Sequence, residues 1–321
     1  MKEQMKLLIG YDGSECANAA LDDLRRAGLP REAQAIVFTV FEQWLPYAAG
    51  NSLAQPALGK SAPPGSAPMR TSAMTSAQPL TETRALALEG KSRLQTHFPG
   101  WYIKADESSG SPAREILKKA DDWAPDLVAV GSQGRSGLGR FLLGSVSQKV
   151  ANEALCSVRV ARGTVWKDGA PVRILIALDG SPGSEAAVHA VHTRMWPPGS
   201  EVRLTTVIDP PNVPIVTQLV SSAEGREASA AHVAWVQEFV DAATKKLRGS
   251  ELIVSSKLEE GDPKSLIIAN AEEWGAECIF IGASCAGNSI EKFLLGSVST
   301  AVVSRAHCSV EIVRAGKDLL V

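Results

Sequence analysis

The feature that most constrains the fold of this 321-residue chain is an internal repeat. The segment MKLLIGYDGSECANAAL from Met5 is echoed by VRILIALDGSPGSEAAV from Val172, and the heptapeptide FLLGSVS occurs from Phe141 and again from Phe293. Seven consecutive identical residues at corresponding places are hard to reach by chance, so we interpret the chain as two copies of one structural unit. The length agrees, because one hydrophobic core seldom organises so many residues.

The spacing of the repeat indicates an insertion in the first unit. Asp12 and Asp179 are 167 residues apart, whereas Gly144 and Gly296 are 152 apart, which leaves 15 extra residues in the first unit. The stretch Pro46–Pro79 is rich in Ala, Pro, Ser and Gly and cannot bury enough apolar surface to order itself strongly, so we expect a mobile surface insertion there. The predicted domains are residues 1–163 and 171–315, joined by a linker at about Gly163–Pro171.

Short apolar runs alternate with helical patterns in both units. A regular alternation of strands and helices predicts a mostly parallel sheet with helices on both faces, and therefore an α/β fold of two tandem doubly wound domains. The predicted strands are Lys6–Tyr11, Ala35–Phe41, Trp101–Glu107, Asp126–Val130 and Ser157–Ala161, then Arg173–Leu178, Glu201–Ile208, Leu252–Leu258, Cys278–Ile281 and Ser309–Val313.

Composition excludes several classes of protein. The 33 basic and 35 acidic side chains nearly cancel, so the chain lacks the cationic field of a non-specific nucleic-acid binder. No apolar stretch reaches 18 residues, and the N-terminal apolar run is too short for a signal peptide, so we expect no membrane association. Five cysteines without a CxxC pair favour a reducing compartment, and we expect a cytoplasmic protein.

The loop after the fourth strand of the first unit carries the strongest chemical signal. It reads GSQGRSGLGRFLLGSVS, and its glycines at 131, 134 and 144 permit close backbone approach to a ligand and positive φ angles. The helix that opens at Gly144-Ser145 presents free N–H groups to an anion such as phosphate. We expect hydroxyl donors from Ser145 and Ser147 and positive charge from Arg135 and Arg140.

This loop has two other interpretations. An isolated glycine string is usually a flexible connection, but the repeated strand–loop–helix context favours an anion site here. The loop lacks the lysine of a P-loop, and no GxGxxG follows either first strand, so the chain is neither a P-loop NTPase nor a Rossmann dehydrogenase.

The pattern of Gly, two residues, Gly, nine residues and Gly-Ser after a hydrophobic fourth strand resembles the ATP-binding motif of universal stress proteins. The Asp-Gly-Ser turn after the first strand and the Cys-Ser-Val start of the fifth strand fit the same family in both units. The resemblance implies a Rossmann-like adenine-nucleotide-binding sheet of five strands in the order 3-2-1-4-5. It also implies ATP as the ligand, with Mg²⁺ as a candidate companion, and pairing of units along their fifth strands, so that the two halves form an internal pseudo-dimer and the chain can dimerise further.

Carried over residue by residue, the resemblance places adenine against the ends of strands one and two and the triphosphate in the strand-four loop. The implied site residues of the first unit are Asp12, Gly13, Ser14, Val40, Phe41, Val130, Gly131, Ser132, Gly134, Arg135, Arg140, Gly144, Ser145, Val146 and Ser147. The secondary candidates in the second unit are Asp179, Val207, Ile208, Gly282, Gly296, Ser297, Val298 and Ser299.

Asp12 has two interpretations of equal weight. Its carboxylate could accept a ribose hydroxyl or help to hold Mg²⁺, but Asp-Gly-Ser before a helix is equally a capping arrangement.

The second unit departs from the family pattern in the same loop, which reads GASCAGNSIEKFLLGSVS. Cys285 stands where Gly134 stands in the first unit, and one additional residue separates Gly282 from Gly296. Glu291 adds negative charge beside a polyphosphate, although Lys292 replaces an arginine in kind. We therefore predict weaker nucleotide binding in the second unit.

The favoured function is a regulatory ATP-binding module with a role in stress survival. An enzyme of the same architecture would need further catalytic groups, and the chain has neither an SGGxDS loop nor an HxGH motif, so slow ATP hydrolysis is the most catalysis that we expect. The remaining alternative is a nucleotide-free interaction scaffold.

Overall fold

The fold is described from a computed structural model that covers residues 4–42, 77–134, 143–162, 169–209, 223–249, 251–283 and 295–315. The predicted linker residues 163–168 and nearly all of the predicted insertion lie outside the described residues.

The first half of the chain alternates strands and helices as expected. Its elements are β1 (Lys6–Gly10), α1 (Glu15–Asp23) with a short 3₁₀ turn (Leu24–Arg26), β2 (Gln34–Glu42), α2 (Ala77–His97), β3 (Tyr102–Gly110), α3 (Pro112–Trp123), β4 (Leu127–Gly131), α4 (Ser145–Glu153) and β5 (Ser157–Ala161).

The second half repeats this order. Its elements are β6 (Arg173–Ala177), α5 (Pro182–His192), β7 (Glu201–Ile208), α6 (Ala223–Arg248), β8 (Ile253–Glu260), α7 (Pro263–Trp274), β9 (Cys278–Gly282), α8 (Ser297–Arg305) and β10 (Ser309–Val313).

All of these strands belong to one sheet in the order β3-β2-β1-β4-β5-β10-β9-β6-β7-β8. Within each half the neighbouring strands are parallel, and the order 3-2-1-4-5 appears twice, the second time reversed. The predicted α/β class, the strand order and the tandem arrangement are confirmed. β3 and β8 are the edge strands of this sheet.

The predicted boundaries differ from the structure by more than one residue at three places. β3 continues to Gly110 and β8 to Glu260, because each edge strand pairs with its neighbour over that neighbour's full length although its last residues are polar. Helix α2 begins at Ala77, inside the predicted insertion, so the last residues of Pro46–Pro79 are helical.

The two faces of the sheet are covered differently. On one face α3, α4, α7 and α8 pack on a single apolar core that runs across both halves and includes Ile116, Val150, Ile267 and Val302. On the other face α1 and α2 cover one core, and α5 and α6 cover another. The shared core therefore ties the halves together on the face that carries the helices after β4 and β9.

The halves join through an antiparallel pairing of their fifth strands, as the resemblance implied. Val160 opposes Val310, Arg159 opposes Glu311, and Val158 opposes Ile312. Since Arg159 and Glu311 hold equivalent positions in the repeat, the internal pseudo-two-fold axis passes between them. In a symmetric pair each would face its own copy, whereas here a cation faces an anion.

The charges at this axis are buried and paired. Both side chains of the Arg159–Glu311 pair are 1% exposed, and Arg159 Nη1 lies 3.2 Å from Glu311 Oε2. Arg159 Nε also donates to Asp23 Oδ2 at 2.6 Å, and Arg194 donates to both carboxylate oxygens of Glu311. Burial alone would lower the pKa of Arg159, but the charges of Asp23 and Glu311 raise it above its usual value. The guanidinium of Arg159 therefore stays charged at the axis.

A second buried ion pair also joins the two halves. Arg26 Nη2 lies 2.5 Å from Glu277 Oε2, and both side chains are less than a tenth exposed. The same guanidinium donates to the carbonyls of Ala170 and Pro171, which lead into β6.

We expect Arg159→Met to lower the free energy of unfolding by about 3–5 kcal/mol, because it leaves the buried Asp23 and Glu311 carboxylates without their shared cation. Urea denaturation of the full chain measures the loss. The matched control is Arg84→Met, which removes a pair with Glu107 whose arginine side chain is 66% exposed and should cost less than about 1 kcal/mol. Equal losses for the two variants would contradict a stabilising role for the axis network.

Candidate functional site

The turns after β1 and β6 have the same geometry. Asp12 Oδ1 accepts from Ser14 N at 3.0 Å, and Ser14 Oγ caps α1 by accepting from Ala17 N at 3.1 Å. Gly13 between them has φ of 77°, a left-handed conformation that favours glycine. The capping interpretation of Asp-Gly-Ser is confirmed. Gly13 therefore has a conformational role, and its expected contact with the ligand stays a prediction.

The second unit repeats these features of the turn. Asp179 Oδ1 accepts from Ser181 N at 3.0 Å, Gly180 has φ of 77°, and Ser181 Oγ accepts from Ser184 N at 3.2 Å. This turn brings an aspartate to the carboxyl end of the first strand of each half.

Close backbone approach explains the glycine that ends β4. A Cβ atom on Gly131 would lie 2.8 Å from the carbonyl oxygen of Cys16, so a side chain there would push α1 away from the sheet. At the end of β9, a Cβ on Gly282 would meet the backbone of Gly183 at 2.3 Å. Glycine at these two positions lets the first helix of each half pack directly on the fourth strand.

Gly134 brings the strand-four loop to the β1 turn. A Cβ atom at Gly134 would lie 3.1 Å from Asp12 Oδ2. None of Gly131, Gly134 and Gly144 has a left-handed φ, so the expectation of positive φ in this loop was wrong for these three glycines. Gly131 is needed for space, and a side chain at Gly134 would crowd Asp12, whereas a Cβ on Gly144 would make only ordinary contacts at 3.4 Å.

The first turn of α4 is open at its N-terminus. Gly144 is the N-cap residue, with φ of −65° and ψ of 152°, and it offers no side chain to the amides that follow. Gly144 N donates to Ser132 O at 2.8 Å, and Ser132 N donates to Ala161 O at 3.0 Å, which fixes the loop to β5. The amides of the first helical turn have no partner within the helix and are available to an anion.

The serines of this helix differ from each other. Ser145 is exposed, whereas Ser147 is buried and its hydroxyl donates to the carbonyl of Gly131 at 2.5 Å. Ser147 therefore holds α4 to the end of β4, and the expected contact of its hydroxyl with a ligand stays a prediction. Ser299 makes the equivalent bond to Gly282 O at 2.9 Å. Arg135 and Arg140 lie outside the described residues.

These elements enclose a cleft of about 500 Å³ at the carboxyl ends of β1, β2 and β4. Its lining combines apolar side chains of β2 and α3 with polar groups that include Asp12, Glu42 and the start of α4. The lining residues predicted from the sequence are Asp12, Val40, Phe41, Val130, Gly131, Gly134, Gly144, Ser145, Val146 and Ser147. Gly13, Ser14 and Ser132 support the site without lining the cleft.

Sequence reasoning missed part of the lining. Thr83 and Leu86 come from α2, Phe38 from the interior of β2, Ile116 from α3, and Tyr11 from the end of β1. Burial and the nearby Glu89 raise the pKa of Tyr11, whose hydroxyl donates to Asn18 Oδ1 at 2.9 Å. Tyr11 is therefore a neutral phenol at neutral pH. The apolar positions of α2 are the signal that could have located Leu86.

The second half has a smaller cleft of about 220 Å³ at the equivalent place. Asp179, Val207, Gly282, Ser297, Val298 and Ser299 line it as predicted. Thr205 holds the position of Phe38, and Gly296 is the N-cap of α8. Ile208 ends β7 but does not line this cleft. Cys285, Glu291 and Lys292 lie outside the described residues.

The described part of the chain lacks two kinds of feature. No group of three or more His, Cys, Asp or Glu side chains is placed there to hold a metal ion. No helix in that part is long and apolar enough to cross a membrane.

Comparison with known proteins identifies the family. The model of the universal stress protein family matches residues 5–162 and 172–314. A universal stress protein of Mycolicibacterium smegmatis is 28% identical over 224 residues, which cover 68% of this chain and 71% of the relative.

Solved structures agree on the fold. A universal stress protein from Archaeoglobus fulgidus has a TM-score of 0.59 at 20% identity, covering 98% of this chain and 97% of the other. A Pseudomonas aeruginosa protein of unknown function has a TM-score of 0.61 at 12% identity, covering 98% of this chain and 94% of the other. These likenesses concern the fold alone. The two family matches span both halves of the sheet, and the chain therefore belongs to the universal stress protein family.

Proposed function

We propose that the chain binds an adenine nucleotide, ATP, in the cleft of its first half and serves as a regulatory module in stress survival. The observation that carries the proposal is the open N-terminus of α4, which lines a 500 Å³ cleft together with apolar side chains of β2 and α3. That volume lies in the range of small-molecule sites, and the arrangement of one apolar and one anion-binding end matches a nucleoside polyphosphate.

The phosphate end is formed chiefly by backbone. The absence of a side chain at Gly144 leaves the amides of the first turn accessible, and the positive end of the helix dipole adds to them. Ser145 is exposed beside these amides and can donate its hydroxyl. Arg135 and Arg140, in the same loop of the sequence, are proposed to neutralise the remaining phosphate charge.

The base end is formed by β2 and α3. Phe38, Val40 and Ile116 supply apolar surface that fits the face of a purine, and Phe41 lines the cleft beside them at the end of β2. Backbone groups at the end of β2 can recognise the edge of the base.

Asp12 lies between the two ends. Its Oδ1 is engaged by Ser14 N, and its carboxylate adjoins the backbone of Gly134. We propose that it accepts a hydrogen bond from the ribose or contributes one oxygen ligand to Mg²⁺, which would take its other ligands from phosphate and water.

The two halves should differ in affinity. The second cleft has less than half the volume of the first, and Thr205 replaces the aromatic surface of Phe38. Cys285 and Glu291 in the second loop also disfavour a polyphosphate. We therefore propose that nucleotide is held mainly in the first half.

Regulation fits the site better than efficient catalysis. The carboxylates among the described lining residues are Asp12 and Glu42, and Glu42 lies at the end of β2, beside the proposed base end. Tyr11 is neutral and bonded to Asn18. The alternatives are slow ATP hydrolysis assisted by Mg²⁺ and a scaffold that binds no nucleotide. Titration with ATP distinguishes the scaffold from an ATP-binding protein.

We expect Gly144→Asp to weaken ATP binding at least about tenfold, because it places a negative charge at the N-cap beside the phosphates. Asp is also a good N-cap residue, so the helix should remain folded. The matched control is Gly144→Asn, which occupies the same space and caps the helix without the charge. Isothermal titration calorimetry measures both dissociation constants. If both variants bind like the wild type, the phosphates do not lie at α4.

We expect one tight ATP site per chain. Titration should give a stoichiometry near one. Gly144→Asp should reduce this value. Gly296→Asp changes the equivalent N-cap in the second half and should leave it unchanged. Two sites of equal affinity would contradict the asymmetry of the halves. No binding to the wild-type chain at millimolar Mg-ATP would favour the scaffold.

A further inference from the structure

Each half of the sheet sends one arginine across the junction to a helix of the other half. Arg314, just after β10, donates from Nη2 to the carbonyls of Ala151 at 2.8 Å and Asn152 at 3.4 Å. Both carbonyls belong to the last turn of α4, the helix whose first turn is the proposed phosphate site.

The exchange is reciprocal. Arg162, just after β5, donates from Nη2 to the carbonyls of Val303 at 2.6 Å and Ser304 at 3.1 Å. These carbonyls lie in the last turn of α8, whose first turn lines the second cleft. We infer that Arg314 is a positioning residue for the ligand cleft of the first half, and Arg162 for that of the second. This inference rests on the proposed function.

The chemistry of helix ends explains why these contacts hold a helix in place. The last carbonyls of a helix have no amide of their own helix to accept from. α4 ends because the backbone turns extended at Ala154, with ψ of 142°, and α8 ends in the same way at Ala306, with ψ of 143°. A guanidinium supplies the missing donors and sets positive charge against the negative end of the helix dipole.

Burial makes the contacts strong. Arg314 is 6% exposed and Arg162 is 7% exposed, so water competes little for either guanidinium. The backbone of each arginine is held as well, because Arg314 N donates to Ser157 Oγ at 3.2 Å and Arg162 N donates to Ser309 Oγ at 3.0 Å. These serines begin β5 and β10, so each arginine is fixed to the strand that leads out of the helix it contacts.

A displacement of the C-terminal end of α4 also displaces its N-terminal end at the cleft. α4 has nine residues, about 13 Å of rigid rod, and its far end carries the amides of Ser145, Val146 and Ser147. A shift or tilt at Ala151 and Asn152 therefore moves those amides. Hydrogen bonds to phosphate tolerate only about 0.5 Å of misplacement, so the affinity of the first cleft depends on an arginine supplied by the second half.

The experiment compares Arg314→Met with Arg162→Met in the full chain. We expect Arg314→Met to raise the Kd for ATP roughly fivefold or more and to speed hydrogen exchange of amides in α4. Arg162→Met should speed exchange in α8 and affect the Kd less. The control is Arg305→Met, an exposed arginine that contacts a carbonyl of its own half and should leave the Kd unchanged.

A conservative variant separates positioning from general stability. Arg314→Lys keeps the charge and one donor group, so its Kd and its exchange in α4 should lie between those of the wild type and Arg314→Met. It also provides the test if Arg314→Met does not fold. Arg314 variants that leave both the Kd and α4 exchange at wild-type values overturn the inference, and so does a uniform rise in exchange across both helices.

The two proposals fail in different ways. If the wild-type chain binds no ATP, the proposed function is wrong, while the exchange of α4 and α8 still decides whether each arginine holds the helix of the opposite half. If ATP binds but Arg314→Met affects α8 rather than α4, the proposed function stands and the positioning role is wrong.

Discussion

The structure depends on the contact between Arg159 and Glu311, at the point where the two fifth strands cross the internal axis. Pairing of β5 with β10 converts two five-stranded sheets into one and aligns the helices after β4 and β9 over a common core. A repeat that kept the same charged residue in both copies would place like charges together in the protein interior. The difference between these two equivalent positions removes that repulsion and allows the halves to approach closely enough for arginines to cross.

The fold was predictable because its signals are local and occur twice. Apolar runs located the strands, and the Asp-Gly-Ser turn indicated the start of α1. The glycines of the strand-four loop marked the site, but the reason assigned to them was partly wrong, since Gly131 and Gly134 accommodate neighbouring backbone and Asp12 rather than a left-handed turn. The bond from Ser147 to Gly131 O was not foreseen, because sequence does not show which partner a hydroxyl will contact.

Other parts of the site depend on contacts between distant segments. Thr83 and Leu86 line the cleft because α2 packs against β2. No sequence motif in α2 indicates that these residues reach the site. The charged junction was also missed. Its signal was present in the sequence, because equivalent positions of the repeat carry Arg159 and Glu311, and opposite charges at equivalent positions become informative once the fifth strands are known to pair.

The fused sheet also limits how chains can assemble. The edges of β5 and β10 already pair with each other within the chain, so a second copy cannot form the same strand pairing. Among the described strands, the rims left for strand addition are β3, which exposes Tyr102, and β8, which exposes Ile253 and Leu258. A larger complex formed through backbone pairing would therefore lengthen the sheet from its rims, and the two clefts would stay inside each ten-stranded block, one in each half.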